Sequence, residues 1–428
     1  MLRRLLASLR PGRAAPPAAA PASPPPGNDP LRSARDAYRD GRYDDVVAVH
    51  AALPAGAARP FEEAMQLAHS LQYLGRFADA ESVYAQLAGA LAGSPSPAAQ
   101  RTRVALHLGL SRLRRGELDG ARAAFETAVA ASPERGDARR ILAFPDVMAG
   151  EPDLPREALP PMPPAGPASA APFDVAYFFV APDDPAGAQS YWTLLEHSIA
   201  SARRVYPGAR VVLMTDERTA PPQGLRFDTI VRAALPPGDL MANRFRAGRA
   251  YLDAVRKDGG AAGALFTEAD CVMQRDARDV LTRGAHLYLT YRSDFVSEAE
   301  DLEPCNTGVM LLDLAHAGRI AGFFDACIAA IADLEARPAI QRAYERPIRA
   351  WRGDQLAVGA VLGWRLFQRE VLGRRTDRLS AAGCTIGLLP SDLYNFAPGP
   401  RDAPERLATK YVLHYKGDRK RALLGAAP

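Results

Sequence analysis

Ala264-Leu265-Phe266-Thr267-Glu268-Ala269-Asp270 places four residues suited to a buried strand directly before two carboxylates. Side chains alternate along extended backbone, so Glu268 and Asp270, two positions apart, face the same way. Two acids at a strand end offer hard oxygen ligands to a divalent cation; taken alone, the pair equally suits two solvated loop acids. Short apolar runs surround this one at Asp174 to Ala181, Arg210 to Thr215, Asp228 to Val231, His286 to Tyr291 and Val309 to Leu312. Helical patterns alternate with them at Gln189 to Val205, Asn243 to Lys257, Ile320 to Ala336 and Asp354 to Leu362. The first of these helices carries Trp192, Leu195, Ile199 and Ala202 on one face. Such alternation predicts an α/β domain over residues 173–428, with a mainly parallel sheet flanked by helices. Ligands of such sheets sit beyond the carboxyl ends of the strands, which makes the strand ends the candidate site.

Further motifs follow in order. Cys305, Asn306, Thr307 and Gly308 lead into Val309 and Met310, a pattern that turn chemistry alone would explain. Gly353, Asp354 and Gln355 open a helix, where Asp354 suits an N-cap. After the strand-like Tyr411 to Leu413 come His414, Tyr415, Lys416, Gly417, Asp418, Arg419 and Lys420. A metal-binding His, a Gly that admits close backbone approach and a Lys are the parts needed to grip a diphosphate, although a lone strand His more often packs in a core.

Taken together, these elements resemble glycosyltransferase family 8, over about residues 173 to 420. The resemblance implies a GT-A, Rossmann-like mixed and mainly parallel sheet that transfers a hexosyl unit from a nucleotide-sugar, expected to be a UDP-sugar. Its acceptor would be a hydroxyl of a glycan, a lipid-linked glycan or a protein, and retention at the anomeric carbon follows from the family alone. It also implies Mn2+ or Mg2+ held by Glu268, Asp270 and His414, and catalytic positions at Asp354, Gln355 and Asn306. Thr307, Gly308, Gly417, Lys420, Arg244 and Asp184 would join Glu268 in binding the donor. Leu389, Pro390, Tyr394 and Asn395 resemble the stretch preceding the family's last strand. The sequence departs from the pattern at Glu268, where the family has Asp, and lacks the Pro-Trp that often follows the closing Lys. These departures support the alternative of a binding scaffold whose transferase domain has lost catalysis.

The 428 residues exceed one ordinary core and predict two or more domains. Hydrophobic content of 48% and charged content of 24% are those of a water-soluble globular protein, and a net charge of +4 gives no reason to expect a nucleic-acid partner. Cys271, Cys305, Cys327 and Cys384 have no zinc-like spacing and read as buried free thiols. No apolar run predicts a membrane span, and a cytoplasmic protein is expected; Met1 to Arg10 reads as a frayed terminus, with a basic amphipathic turn on an anionic membrane surface as the alternative.

Residues 1–30 and 151–172 are rich in Pro and Ala and read as a disordered segment and a linker, so a fragment beginning near Ala171 is expected to fold alone. Between them, residues 31–150 repeat a pattern. Gly41, Gly75 and Gly116 precede Tyr43, Phe77 and Leu118 by two residues, Val46, Ala80 and Ala121 by five, and His50, Tyr84 and Phe125 by nine. The spacing, with Pro133 eight after Phe125, resembles the tetratricopeptide repeat. That resemblance implies antiparallel helix pairs and a face for a protein partner.

Overall fold

The computed structural model describes residues 30–54, 59–92, 97–134, 138–258, 260–292, 302–400 and 402–424. The N-terminal segment 1–29 and the loop at residues 93–96 lie outside the described residues. The chain divides into two compact units, Met1–Arg135 and Gly136–Pro428.

The first unit is helical: α1 (Pro30–Arg39), α2 (Tyr43–Ala51), α3 (Phe61–Tyr73), α4 (Phe77–Ala92), α5 (Ala98–Arg114) and α6 (Leu118–Ala131), each packed on the next. Gly41, Gly75 and Gly116 turn α1 into α2, α3 into α4 and α5 into α6 at φ of 73°, 72° and 83°, the left-handed region that disfavours other residues. The small and aromatic positions of the repeat, Val46, Ala80, Ala121, Tyr84 and Phe125, are buried. Phe125 lies so close to Gly109 that a Cβ there would sit 2.4 Å from the ring.

The second unit begins with α7 (Ala138–Ala149), which packs on α11 (Pro338–Ala343) and is tied to it by Asp146 and Arg342 at 3.3 Å. Residues 138–149, grouped with the repeats on sequence, thus belong to the sheet-containing unit. Within the stretch read as a linker, Arg156–Ala158 forms β1. Arg156 donates from Nε to the Val361 carbonyl at 2.9 Å and from Nη2 to the Ala360 carbonyl at 2.7 Å. The Met162 amide donates to Asp377 at 2.7 Å, and its side chain is buried.

Nine strands form the main sheet in the order β1-β9-β10-β7-β8-β5-β2-β3-β4. They are β2 (Phe173–Phe178), β3 (Arg210–Thr215), β4 (Thr229–Arg232), β5 (Gly263–Thr267), β7 (Leu287–Tyr291), β8 (Cys305–Asp313), β9 (Arg378–Ala381) and β10 (Cys384–Pro390) with β1. The expectation of a mainly parallel sheet is corrected: β2/β3, β2/β5, β3/β4 and β7/β10 are parallel, whereas β5/β8, β7/β8, β9/β10 and β1/β9 are antiparallel. The cause is connection length. β9 and β10 are joined by Ala382 and Gly383, at φ of 49° and 71°, a two-residue hairpin turn that only antiparallel strands accept. β8 likewise follows β7 with no described helix between them and runs against both neighbours.

A second, two-stranded sheet pairs β6 (Cys271–Met273) with β11 (Val412–His414), opposing Cys271 to His414. Helices α9 (Leu240–Asp258), α10 (Ala317–Glu335) and α12 (Gly353–Leu362) pack on one another and on the main sheet. Residues of α8 (Pro185–Val205) join β2, β3, β5 and β6 in another core, where Trp192, Leu195, Ile199 and Ala202 are all buried. The segment Leu314–Glu335, which includes α10, is long and apolar enough to cross a membrane by length and composition. Here it is a core element, with Ile320, Phe323, Phe324 and Cys327 buried. All four cysteines are free and buried.

Candidate functional site

The site forms where strand ends meet helix starts. β5 ends at Thr267, and its antiparallel register with β8 sets Thr267 opposite Val309, so Asn306, Thr307 and Gly308 continue beside Glu268. On β7 the pairing jumps from Leu289↔Met310 to Thr290↔Asn306. Thr307, Gly308 and Val309 therefore have no partner on β7, a bulge of the kind that re-aims side chains at a sheet's irregular edge. Arg244 enters from the first turns of α9 and Asp354 from the first turn of α12.

Arg244 joins these segments. Its Nη1 donates to Thr307 Oγ1 at 2.6 Å and to Asp354 Oδ2 at 2.7 Å, and its Nη2 pairs with Glu268 Oε1. Thr307 donates in turn to Asp354 Oδ2. Burial works against the Arg244 charge, but Glu268 and Asp354 outweigh it and raise the guanidinium's pKa. Asp354, suited on sequence to an N-cap, instead points into this network. Its Oδ1 is buried and has no hydrogen-bond partner among the described residues. Gln355, the next residue, is partly exposed.

His414 organises the acidic side. Its Nε2 lies 2.8 Å from Glu268 Oε2 and 3.2 Å from Asp270 Oδ1, while its Nδ1 meets Asn395 Oδ1 at 2.8 Å. Asn395 donates to Thr290 Oγ1 at 2.9 Å and to Asn306 Oδ1 at 2.7 Å, and Asn306 Oδ1 also accepts the Gly308 amide at 2.9 Å. Fixing one imidazole nitrogen in this way leaves the other directed at the carboxylates, the usual arrangement of a metal-binding His. Burial disfavours the imidazolium, yet Cys271 and Asp270 raise its pKa well above the ordinary value. Burial also opposes ionisation of the carboxyls. Arg244 and His414 nevertheless hold Glu268 well below its usual range, and His414 and Lys420 lower Asp270.

Lys420 Nζ is 3.1 Å from Asp270 Oδ2 and 3.3 Å from the Tyr191 hydroxyl, 4.8 Å from the centre of that ring. Gly417 has φ of 58° and no atom within 4 Å of where a Cβ would be, so its backbone conformation, not crowding, favours Gly. Gly308 is the opposite case: a Cβ there would fall 2.5 Å from His414 Cε1 and 2.9 Å from Glu268 Oε2. Asp184 caps α8, accepting from the amides of Gly187 at 2.8 Å and Ala186 at 3.3 Å.

Glu268, Asp270, His414, Arg244, Asn306, Thr307, Gly308, Asp354 and Lys420 are thus linked in one network. Two members had been given no role in the site on sequence. Asn395 bridges three segments, and Cys271 joins Asp270 and His414 as a group whose ligand atoms lie within 4.8 Å of one another. A buried carboxylate, Asp270, and a half-buried one, Glu268, beside an imidazole with a fixed far nitrogen form a donor set that fits a divalent cation.

No family model matches the chain, and no curated protein does. Among solved structures, a galactosyltransferase, LgtC, in complex with donor and acceptor sugar analogues shares 12% identity at a TM-score of 0.34, over 60% of this chain and 97% of that one. A glycosyltransferase involved in glycosylation of the major capsid of PBCV-1 shares 11% identity at a TM-score of 0.32, over 59% of this chain and 99% of that one. At these TM-scores neither likeness carries an argument about this chain.

Proposed function

We propose that residues 173–428 form a metal-dependent glycosyltransferase domain that moves a hexosyl unit from a UDP-sugar to a hydroxyl acceptor. The observation that supports it most is the convergence on His414 Nε2 of Glu268 and Asp270, with Lys420 on the outer oxygen of Asp270. Asp270 and His414, with Glu268 on one side and Cys271 on the other, would hold Mn2+ or Mg2+. A bound cation of this kind absorbs negative charge developing on the departing diphosphate. Lys420 meets phosphate oxygens, and the left-handed turn at Gly417 brings backbone toward them. Arg244, Thr307 and Asp354 would position the sugar, and Asn306 and Gln355 would act near its anomeric carbon. The C1–O bond to the diphosphate breaks, the acceptor oxygen bonds to C1, and its proton passes to the departing diphosphate. Retention is part of the proposal and rests on the family resemblance. The helical unit is proposed to dock a protein partner, and the protein to act in the cytoplasm or at a membrane surface.

Asp270→Ala tests the site. Removing one charged ligand should lower metal-dependent UDP-sugar turnover on the order of a thousandfold. Full manganese-dependent turnover in this variant would refute the assignment. One feature favours the alternative of a catalytically silent scaffold, the ion pair that ties Glu268 to Arg244. Calorimetry separates the readings: UDP that binds no more tightly with manganese than without it supports the scaffold.

A further inference from the structure

Only one of the three tryptophans meets solvent: Trp351 is 56% exposed, against 7% for Trp192 and 1% for Trp364. Single exposed apolar side chains are common, but an indole joins a large apolar face to a polar N–H and is enriched where proteins bind. Trp351 lies on a tight turn whose amides are anchored at one carbonyl, with Trp351 N and Gly353 N reaching Ile348 O at 3.1 and 2.9 Å. The approach is so close that a Cβ on Gly353 would sit 2.4 Å from that oxygen. Between them Arg352 adopts φ of 68° and is held by Glu303 at 2.6 Å. The turn thus presents Trp351 three residues before Asp354. The neighbouring Arg349 carbonyl accepts the Met241 amide at 2.9 Å, which fixes the start of α9, the helix that carries Arg244.

The residues just before Trp351, Arg346 to Arg349, line one wall of a cleft of about 490 Å³ whose lining also includes Glu335, Gln341 and Tyr344. That volume falls in the range of small-ligand sites, roughly 300–1,000 Å³. Sheet topology puts it at the same end as the acidic cluster. Asp313, the end of β8, pairs with Gly263, the start of β5. Helix α10 therefore starts at the far end and runs back, delivering Glu335 to the end where β5 terminates. There Glu335 pairs with Arg349 at 3.3 Å.

We propose that this cleft and Trp351 bind the sugar acceptor, with Trp351 as the stacking platform, an inference that rests on the transferase reading above. A pyranose ring has an apolar C–H face, which suits the indole, and a rim of hydroxyls, which suits Glu335, Arg349 and Gln341. A protein partner fits less well, since over residues 335–352 Trp351 is the one exposed large apolar side chain, and charged residues, Arg349 and Arg352, flank it in the chain.

The test supplies the UDP-sugar that the unsubstituted protein hydrolyses, with manganese, and a panel of acceptors: the α- and β-p-nitrophenyl glucosides and galactosides, lactose and maltose. Trp351→Ala is expected to raise KM for the acceptor that is turned over about fivefold to tenfold with little change in kcat, and Trp351→Phe to restore most of the loss. Calorimetric UDP affinity with manganese should be kept. Because the other two tryptophans are buried, the same acceptor should shift the emission of the unsubstituted protein but not of Trp351→Ala. An unchanged KM, an unshifted emission, or no panel member turned over would overturn the acceptor site. Absence of both donor hydrolysis and manganese-dependent UDP binding would overturn the transferase reading itself, and this proposal with it.

Discussion

Gly308 sits between the imidazole of His414 and the carboxylate of Glu268, where a single methyl has no free volume. Gly308→Ala should therefore push His414 off Asp270 while leaving the distant cores intact. Manganese affinity measured by calorimetry is expected to fall at least tenfold, at a stability cost of about 1–3 kcal/mol typical of overpacking; unchanged affinity would show that the imidazole is not held in place by this contact. At this scale much of the site was legible, because an acid pair ending a strand, an Asn-Thr-Gly turn and a His-to-Lys segment are local patterns. Asn395 was legible only as part of a resemblance, since the partners that give it a role, Thr290, Asn306 and His414, lie 105, 89 and 19 residues away. Cys271 acquires its place from the register of a two-stranded sheet that opposes it to His414, and no spacing encodes that register.

Among the elements, α3 and α5 share a buried polar seam. His69 Nε2 meets His107 Nε2 at 3.2 Å, and His69 Nδ1 meets the Tyr38 hydroxyl of α1 at 3.2 Å. Burial first, and then the charge of Arg103, lowers the His69 pKa from 6.5 to about 4. A lowered folded-state value means the neutral ring contributes its full stability above pH 6.5, and that stability is lost as the pH falls from there to about 4. The difference, 6.5 minus 4, at about 1.4 kcal/mol per unit, amounts to about 3 kcal/mol. The full chain is expected to melt at lower temperature at pH 5 than at pH 7.5, and His69→Gln to remove part of that difference, since burial lowers His286 and His50 in the same sense; an equal fall in both proteins would rule out a contribution from His69. Strongly patterned elements were readable, and β3 has the bounds expected from its apolar run, Arg210–Thr215. β9 and β10 were not, because β10 contains a Gly, ends in Pro and is entered through an Ala-Gly turn, which is not a common hairpin pair.

For the whole molecule, the boundary at Arg135 and Gly136 lies well before the Pro/Ala-rich stretch that composition marked as a linker. That stretch is rich in residues that bury little, which hid the few that anchor it: Arg156, with its two carbonyl acceptors and its ion pair to Glu151 at 2.7 Å, and the buried Met162. A fragment starting at Gly136 should fold with a normal melting temperature. One starting at Ala171 should melt several degrees lower, because it lacks α7, β1 and these anchors; equal melting temperatures would show that residues 136–170 contribute nothing to the sheet-containing unit. The three residues of β1 also have a consequence for solubility. They cover the outer flank of β9, while the other margin of the sheet is β4, four residues long and ending in Arg232. Short, charged margins are poor templates for pairing with another chain. Trimming the chain to Ala171 would uncover the β9 backbone, so the shorter fragment should self-associate as its concentration rises, visible as growing light scattering, where the Gly136 fragment stays monodisperse.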